Sequence, residues 1–150
     1  MTAMERRFET FTLLIAGINR CIRKIKSEEM AGFDLKSPHV SCLYYLYKSE
    51  SLTASELCDV CEEDKANISR SIKHLEENGY LVCLTKMQKR YQSPLILTEK
   101  GRRVGEYINE RVNRVLEGVS NSISEEERAI LYRSLAAIQT NLQRICEDYS

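Results

Sequence analysis

No segment of this chain is long and apolar enough to suggest a membrane span. Unbroken apolar stretches are no longer than six residues, as in Leu13-Leu14-Ile15-Ala16-Gly17-Ile18, against the roughly 20 residues that a membrane helix requires. Net charge is absent too, since 22 Lys and Arg balance 22 Asp and Glu. That excludes a uniformly basic chain and leaves local patches open. Glycine is sparse, and the six glycines are scattered singly, so there is neither a GxGxxG nor a phosphate-cradling loop. Histidine is sparser still: His39 and His74 form no HExxH and are tied by no motif to a nucleophile. No enzyme activity and no cofactor are expected. The first residues, with Glu5, Arg6, Arg7 and Glu9, show no cleavage-site pattern, so no secretory signal is expected and the cytoplasm is the expected compartment. What is present is 43% hydrophobic and 29% charged over 150 residues, a balance suited to one globular domain that buries its core without disulfides.

The six cysteines, Cys21, Cys42, Cys58, Cys61, Cys83 and Cys146, lie within segments of clear apolar periodicity. That is the placement of reduced core thiols in a cytosolic protein rather than of a secreted disulfide scaffold. Cys58 and Cys61 form a single CxxC. Tetrahedral zinc normally takes four ligands, and no second CxxC or paired histidine completes a site, so core packing and no metal are expected.

The punctuation of the chain is clean. Phe8, Phe11, Ile15, Ile18, Ile22 and Ile25 recur at alternating steps of three and four, a heptad-like stripe on a long helix that Gly32 ends. Ser37-Pro38 predicts an N-cap and a proline at the first position of a second helix, through Val40, Leu43, Tyr44 and Tyr47. Thr53-Ala54-Ser55-Glu56 is a capping box for a short third helix holding Leu57, Cys58 and Cys61. Asp64 caps a fourth, with Ile68, Ile72 and Leu75 facing inward and Asn78-Gly79 at its end. The period then changes. Tyr80–Leu84 and Ser93–Leu97 read as two short strands of a hairpin around a polar, basic loop, with Pro94 at a strand start or edge. Thr98-Glu99 opens a long fifth helix, and Ser124–Glu127 is a second capping box ahead of a sixth helix striped by Leu131, Leu135, Ile138, Leu142 and Ile145.

The expected fold is therefore mainly α with a small β-hairpin wing: a winged helix-turn-helix flanked by N- and C-terminal dimerisation helices. One domain over residues 1–150 is expected, with the winged lobe at about 37–100 and dimerisation helices at 1–31 and 101–150. The outer helices carry stripes too long for that small centre to cover. Isolated helices of this kind are unstable unless packed, so an intertwined homodimer is the economical arrangement.

The zero net charge hides a separation. Residues 64–103 hold nine basic side chains against four acidic, a net of +5, which leaves −5 for the remainder. This charge falls on the second helix of the helix-turn-helix and on the hairpin, the elements that enter DNA grooves. With Ile68, Ile72 and Leu75 turned inward, the fourth helix displays Lys65, Asn67, Arg70, Lys73 and His74 outward. Asn and Arg make bidentate contacts to adenine and guanine edges, so Lys65, Asn67 and Arg70 are the base-reading candidates near the helix start. Ser69 and Lys73 suit phosphates. In the wing, Lys86, Lys89 and Arg90 offer a basic loop for the minor groove or backbone.

The run Asp64-Lys65-Ala66-Asn67-Ile68-Ser69-Arg70-Ser71-Ile72-Lys73-His74-Leu75-Glu76-Glu77-Asn78-Gly79-Tyr80-Leu81 resembles the recognition-helix signature of the MarR family of bacterial transcription regulators. Leu95-Ile96-Leu97-Thr98-Glu99-Lys100-Gly101 resembles that family's return strand and fifth-helix start, and Thr53-Ala54-Ser55-Glu56-Leu57 its preceding helix. The resemblance extends over essentially the whole chain. It implies a homodimeric repressor or activator on a pseudo-palindromic double-stranded DNA site, with affinity set by a small ligand or by cysteine oxidation. The sequence departs from the family where the wing usually carries an aspartate before its arginine: Lys89 precedes Arg90.

Two sensor sites follow from the resemblance. An effector pocket lies between the dimerisation helices and the DNA-binding lobe, where Tyr44, Tyr45 and Tyr47 on the second helix and Tyr107 and Arg111 on the fifth are candidates for a small phenolic or amphipathic acid. Aromatic core packing is the competing reading. Cys21 lies on the helix that carries the peroxide-sensing thiol in one branch of the family, near Arg20 and Lys24, whose charge favours a thiolate. The remaining alternative is a helical protein-interaction dimer without DNA binding.

Overall fold

The computed structural model describes residues 2–61, 63–84 and 92–149. It divides into two compact units, residues 1–111 and 112–150. The first holds α1 (Ala3–Glu29), a 3-10 turn (Ala31–Phe33), α2 (Ser37–Lys48), α3 (Ala54–Cys61), α4 (Lys65–Glu77), β1 (Leu81–Cys83), β2 (Leu95–Leu97) and the leading part of α5 (Glu99–Val119). The second holds the rest of α5, a 3-10 turn (Ser120–Ser122) and α6 (Glu125–Glu147).

Local hydrogen bonding explains most boundaries. At α3, Thr53 Oγ1 accepts from the Glu56 N–H at 3.1 Å while Glu56 Oε1 accepts from the Thr53 N–H at 3.2 Å, a reciprocal box. Ser124 and Glu127 repeat it at α6, at 3.1 and 3.3 Å. Asp64 Oδ1 accepts from the Asn67 N–H at 2.7 Å and caps α4. Gly79, at φ 77°, closes that helix. Its N–H bonds the Glu76 carbonyl at 3.1 Å and the Tyr80 N–H bonds the Leu75 carbonyl at 2.8 Å, the paired reversal that a left-handed residue permits.

The start of α2 differs from the sequence reading. Lys36 is the N-cap and Ser37 is already helical, buried in the first turn. The His39 ring takes the cap role from within the helix, Nδ1 accepting from the Lys36 N–H at 3.0 Å.

The first unit's core gathers α2, α3, α4 and the hairpin around Leu43, Leu57, Ile68, Leu75 and Leu81, all fully buried. Burial of each such side chain stabilises by about 1.5–3 kcal/mol. The strands pair antiparallel with Leu81 opposite Leu97, Val82 opposite Ile96 and Cys83 opposite Leu95. Leu52, just ahead of α3, adds a bridge to Leu95 on the hairpin's other edge, with N–H···O distances of 2.9 and 3.3 Å. That bridge ties the helix-turn-helix to the wing's base. Pro94 sits just before β2, where it donates nothing and its carbonyl accepts from the Leu84 N–H at 2.9 Å.

The expectation that the cysteines are core thiols holds only in part. Cys42 is buried, Cys58, Cys61 and Cys83 are half-buried, and Cys21 and Cys146 are exposed. Helical periodicity marks a stripe, and the stripes of α1 and α6 have no full cover within one chain. Ile15, Ile18, Ile22 and Ile25 on α1 are 38–54% exposed, and among the described residues α6 buries none.

Candidate nucleic-acid interface

The α4 helix is held at both ends, which fixes the face it turns outward. Its exit is bonded through three successive carbonyls. Lys100 Nζ donates to Asn78 O at 2.7 Å, Thr98 Oγ1 to Gly79 O at 2.6 Å, and the Thr98 N–H to Tyr80 O at 3.0 Å. The first turn of α5 thus supplies partners for carbonyls that a helix end leaves unpaired. Lys100 also lies over the Tyr80 ring, 4.4 Å from its centroid. Gly101 makes the approach possible: a Cβ there would stand 1.9 Å from Tyr80 O and 3.2 Å from Leu97 Cδ2.

At the other end lies a relay that sequence reading missed. Arg23 Nη2 on α1 pairs with Glu63 Oε1 at 2.8 Å, and Glu63 Oε2 accepts from Asn67 Nδ2 at 3.1 Å. Asn67 Oδ1 in turn accepts from Arg70 Nη2. Both ends of the Asn67 amide are therefore engaged within the molecule, and the amide orients Arg70. Glu63, one turn before Asn67, was visible in the sequence as an acidic residue ahead of the helix. Its partner Arg23, forty positions away, was not.

Lys65, Ser69, Arg70 and Lys73 are exposed on α4. Lys65, Ser69, Ile72 and Lys73 line an open groove of about 800 Å³ between α4 and the hairpin, floored by Cys83 and Leu95 and ending at Glu76 and Glu77. Positive charge thus occupies the N-terminal two-thirds of the helix face and gives way to negative charge at its end. Lys86, Lys89 and Arg90 lie outside the described residues.

His74 is turned elsewhere. Its ring stacks on His39 of α2, with centroids 4.2 Å apart and planes within 10°, so it packs two helices together. Burial, then the neighbouring His74 and Lys36, push His39 down to about 4. The unfolded chain takes up this proton near pH 6.5 and the folded chain only near pH 4, so the stability held above pH 6.5 is lost as pH falls to 4. The full shift corresponds to about 3 kcal/mol, which solvent screening at this half-exposed site reduces to about 1–2 kcal/mol. Urea midpoints at pH 7 and pH 4.5 should show this loss in the wild type and a shallower one in His39→Asn. Equal slopes would exclude His39 as the source.

The aromatic candidates fall into separate pairs. Tyr44 and Tyr45 meet edge to face at 5.2 Å. Tyr107 packs against Phe33 at 5.6 Å and under Arg111 at 5.0 Å, and Arg111 pairs with Glu29 at 3.5 Å. Tyr47 is pressed against Gly105, whose added Cβ would lie 2.8 Å from the Tyr47 Cβ. Cys21 is exposed on α1. Among the described residues no group of three or more His, Cys, Asp and Glu side chains could hold a metal ion, and no helix is long and apolar enough to cross a membrane.

Comparison with known proteins bears on this arrangement. Residues 33–90 match the model of the MarR family. Over 130 residues the chain is 24% identical to the uncharacterized HTH-type transcriptional regulator YybA of Bacillus subtilis, covering 87% of each. The fold is similar to that of NMB1585, a MarR family regulator from Neisseria meningitidis, with a TM-score of 0.76, 18% identity and full coverage of both chains. It is similar also to MepR of S. aureus, solved as a DNA complex, with a TM-score of 0.78, 18% identity, and 88% of this chain and 97% of that one covered. Over its helix-turn-helix the chain thus matches the MarR family of transcription regulators, and the winged fold around it is similar to that of solved members of that family.

Proposed function

We propose that this protein is a sequence-specific double-stranded DNA-binding repressor that acts as a homodimer in the bacterial cytoplasm and is released by a small-molecule effector. Members of the family are transcription regulators, not enzymes. The observation that carries the reading is the exposed basic face of α4, with Lys65, Arg70 and Lys73 outward and a polar relay orienting Arg70. In this reading Arg70 reads a base edge in the major groove and Asn67 positions it. Lys65, Ser69 and Lys73 hold phosphates, and Lys86, Lys89 and Arg90 reach the flanking groove from the wing. The lobe at about 37–100 binds DNA. Residues 1–31 and 101–150 dimerise, a role supported by the exposed apolar faces of α1 and α6. Two recognition helices then address half-sites about one helical turn apart. The Tyr44–Tyr45 and Tyr107–Arg111 pairs are the effector candidates.

The test is duplex binding by the purified protein at two salt concentrations, using its own upstream intergenic region against a scrambled duplex. Salt-sensitive binding that prefers the upstream fragment is expected, because phosphate neutralisation makes affinity fall steeply with salt. Absence of binding to either duplex at low salt would shift the function to protein interaction through the exposed helical stripes.

A further inference from the structure

The end of α4 carries Asn78-Gly79, a pair that DNA reading does not use. Of all sequences this is the one in which an asparagine side chain most readily reacts with its own backbone, because glycine has no Cβ to block the approach. The reaction joins the Gly79 nitrogen to Asn78 Cγ in a succinimide ring. Both residues are exposed, and nothing stands within 4 Å of a Cβ added at Gly79, so water reaches the pair. In the closed helix end, however, each reacting group is occupied. Asn78 Nδ2 donates to His74 O at 2.7 Å, and the Gly79 N–H donates to Glu76 O at 3.1 Å. The peptide between them is held by its oxygen as well, which accepts from Lys100 Nζ at 2.7 Å, and the next carbonyl accepts from Thr98 Oγ1 at 2.6 Å. At φ −94° and ψ 9° the Gly79 nitrogen lies on the side of the Asn78 N–H, turned from the side chain it must meet. Closing the ring requires a large rotation about ψ. That rotation carries the Asn78 oxygen and the Gly79 nitrogen together, so it parts the Lys100 and Glu76 bonds in one movement. The reacting atoms are thus neighbours in sequence, open to water and clamped apart by α5.

We propose that Asn78-Gly79 is a self-modification site, gated by the fastening of α4 to α5, at which opening of the helix end leads to one-way loss of the side-chain amide. When the joint opens, hydroxide takes the Gly79 N–H proton and the nitrogen attacks Asn78 Cγ. The new N–C bond forms, the Cγ–Nδ2 bond breaks, and the departing nitrogen takes a proton from water, leaving as ammonia and restoring the hydroxide. Water then opens the ring at either carbonyl. Cleavage at Cγ leaves an aspartate, and cleavage at the main-chain carbonyl leaves an isoaspartate; neither step oxidises or reduces anything. Both products resist re-closing. A carboxylate has no N–H to return to His74 O, and it places negative charge at a helix C-terminus beside Glu76 and Glu77, where the helix dipole disfavours it. Isoaspartate also lengthens the main chain by a methylene, so the Gly79 bond to Glu76 O and the Tyr80 bond to Leu75 O, at 2.8 Å, can no longer form together. The modified helix therefore loses the reversal that seats it on α5. Only the effect of that loosening on DNA affinity rests on the DNA-binding reading.

The test follows the full-length protein in mildly alkaline buffer at physiological temperature over days, with trypsin digestion of each sample. The peptide His74–Lys86 is resolved by chromatography and mass spectrometry into its asparagine, aspartate and isoaspartate forms. The same chain in urea gives the unclamped rate, and Asn121, ahead of Ser122, is the internal reference. Folded wild type should convert at Asn78 at least about tenfold more slowly than in urea, because only the open fraction reacts. Lys100→Ala, which removes the bond to Asn78 O, should raise the folded rate about threefold or more, with the rate in urea and the folded rate at Asn121 unchanged. Equal rates in buffer and urea would overturn the clamp. A rise at Asn121 alongside Asn78 would trace the reaction to global unfolding and overturn the gate at the joint. No conversion in either folded protein, while the chain in urea converts, would overturn the site itself. For the reach to DNA, the isoaspartyl form separated by ion exchange should bind the upstream duplex several-fold more weakly, while Asn78→Gln protein aged alongside keeps its starting affinity. Unchanged affinity of the modified form overturns that coupling. Failure of fresh protein to bind any duplex counts against the DNA reading, while conversion at Asn78 is judged by mass spectrometry alone.

Discussion

Gly101→Ala should lower the thermal midpoint by about 10 °C or more, the shift that a loss of about 3 kcal/mol produces in a domain of this size. The added Cβ would stand 1.9 Å from the Tyr80 carbonyl oxygen, well inside any real contact. No flexible side chain can yield there, because the obstacle is backbone. That carbonyl also accepts from the Thr98 N–H at 3.0 Å, so relieving the clash means parting α5 from the end of α4 and breaking bonds to three carbonyls. Gly118→Ala, in the same helix with nothing within 4 Å of its added Cβ, is the control. It should be neutral or stabilising by about 0.5–1 kcal/mol, as for alanine replacing glycine in a helix. Circular-dichroism melts of the two variants read both effects. A Gly101→Ala protein that melts with the wild type would mean that α5 does not approach Tyr80 so closely.

Arg70→Ala should weaken binding to the preferred duplex by about 1–3 kcal/mol, or about 5- to 150-fold, while changing binding to a scrambled duplex much less. Part of the latter loss is simply one positive charge. Glu63→Ala separates positioning from charge. Removing an acidic side chain beside a DNA-binding face favours the polyanion, so a purely electrostatic role predicts tighter binding to every duplex. A positioning role predicts a lower preference for the specific site, since Asn67 Nδ2 loses its acceptor and Arg70 its fixed direction. The expected result is a several-fold drop in specific-to-scrambled ratio with non-specific affinity unchanged or raised. Glu63→Gln, which keeps an acceptor oxygen, should lie between. In the double variant the losses should fall short of additive, because both act on one group. Additive losses would place Glu63 outside the relay.

The sequence was legible wherever structure is decided within one turn of chain. The boxes at Thr53–Glu56 and Ser124–Glu127, the Asp64 cap and the Gly79 reversal each need only residues three to six apart. The hairpin was legible from its change of period, though its Leu52 bridge was not, since Leu52 meets Leu95 only through tertiary packing. The entry to α2 slipped by one residue because Ser-Pro suits both a cap and a first turn, and the His39 ring settled it. Helical periodicity alone put Lys65, Arg70 and Lys73 outward, where they are exposed, but it also put Asn67 and His74 outward, and both are half-buried against neighbours. What escaped was side-chain partnership across elements: Arg23 with Glu63, and His39 with His74. A charged residue or a histidine on a helix gives no sign in its own spacing of which distant partner it will meet.

Fastening α5 to the exit of α4 makes the two helices arms of one lever. From Glu99 to Arg111 the helix runs about 18 Å at 1.5 Å per residue. Displacing the Arg111 end by about 3 Å therefore swings this rod by about 10° about its joint with Tyr80. That end is where Arg111 rests on Tyr107 and Glu29, a polar contact at a half-exposed position and the place where the proposed effector would act. Because the joint is made of backbone carbonyls and a glycine with no spare room, the swing is not absorbed there and passes into the pitch of the recognition helix. In the homodimer proposed above, a wedge a few ångströms thick at the long arm would then be enough to misalign two reading heads that must fit successive turns of the same duplex.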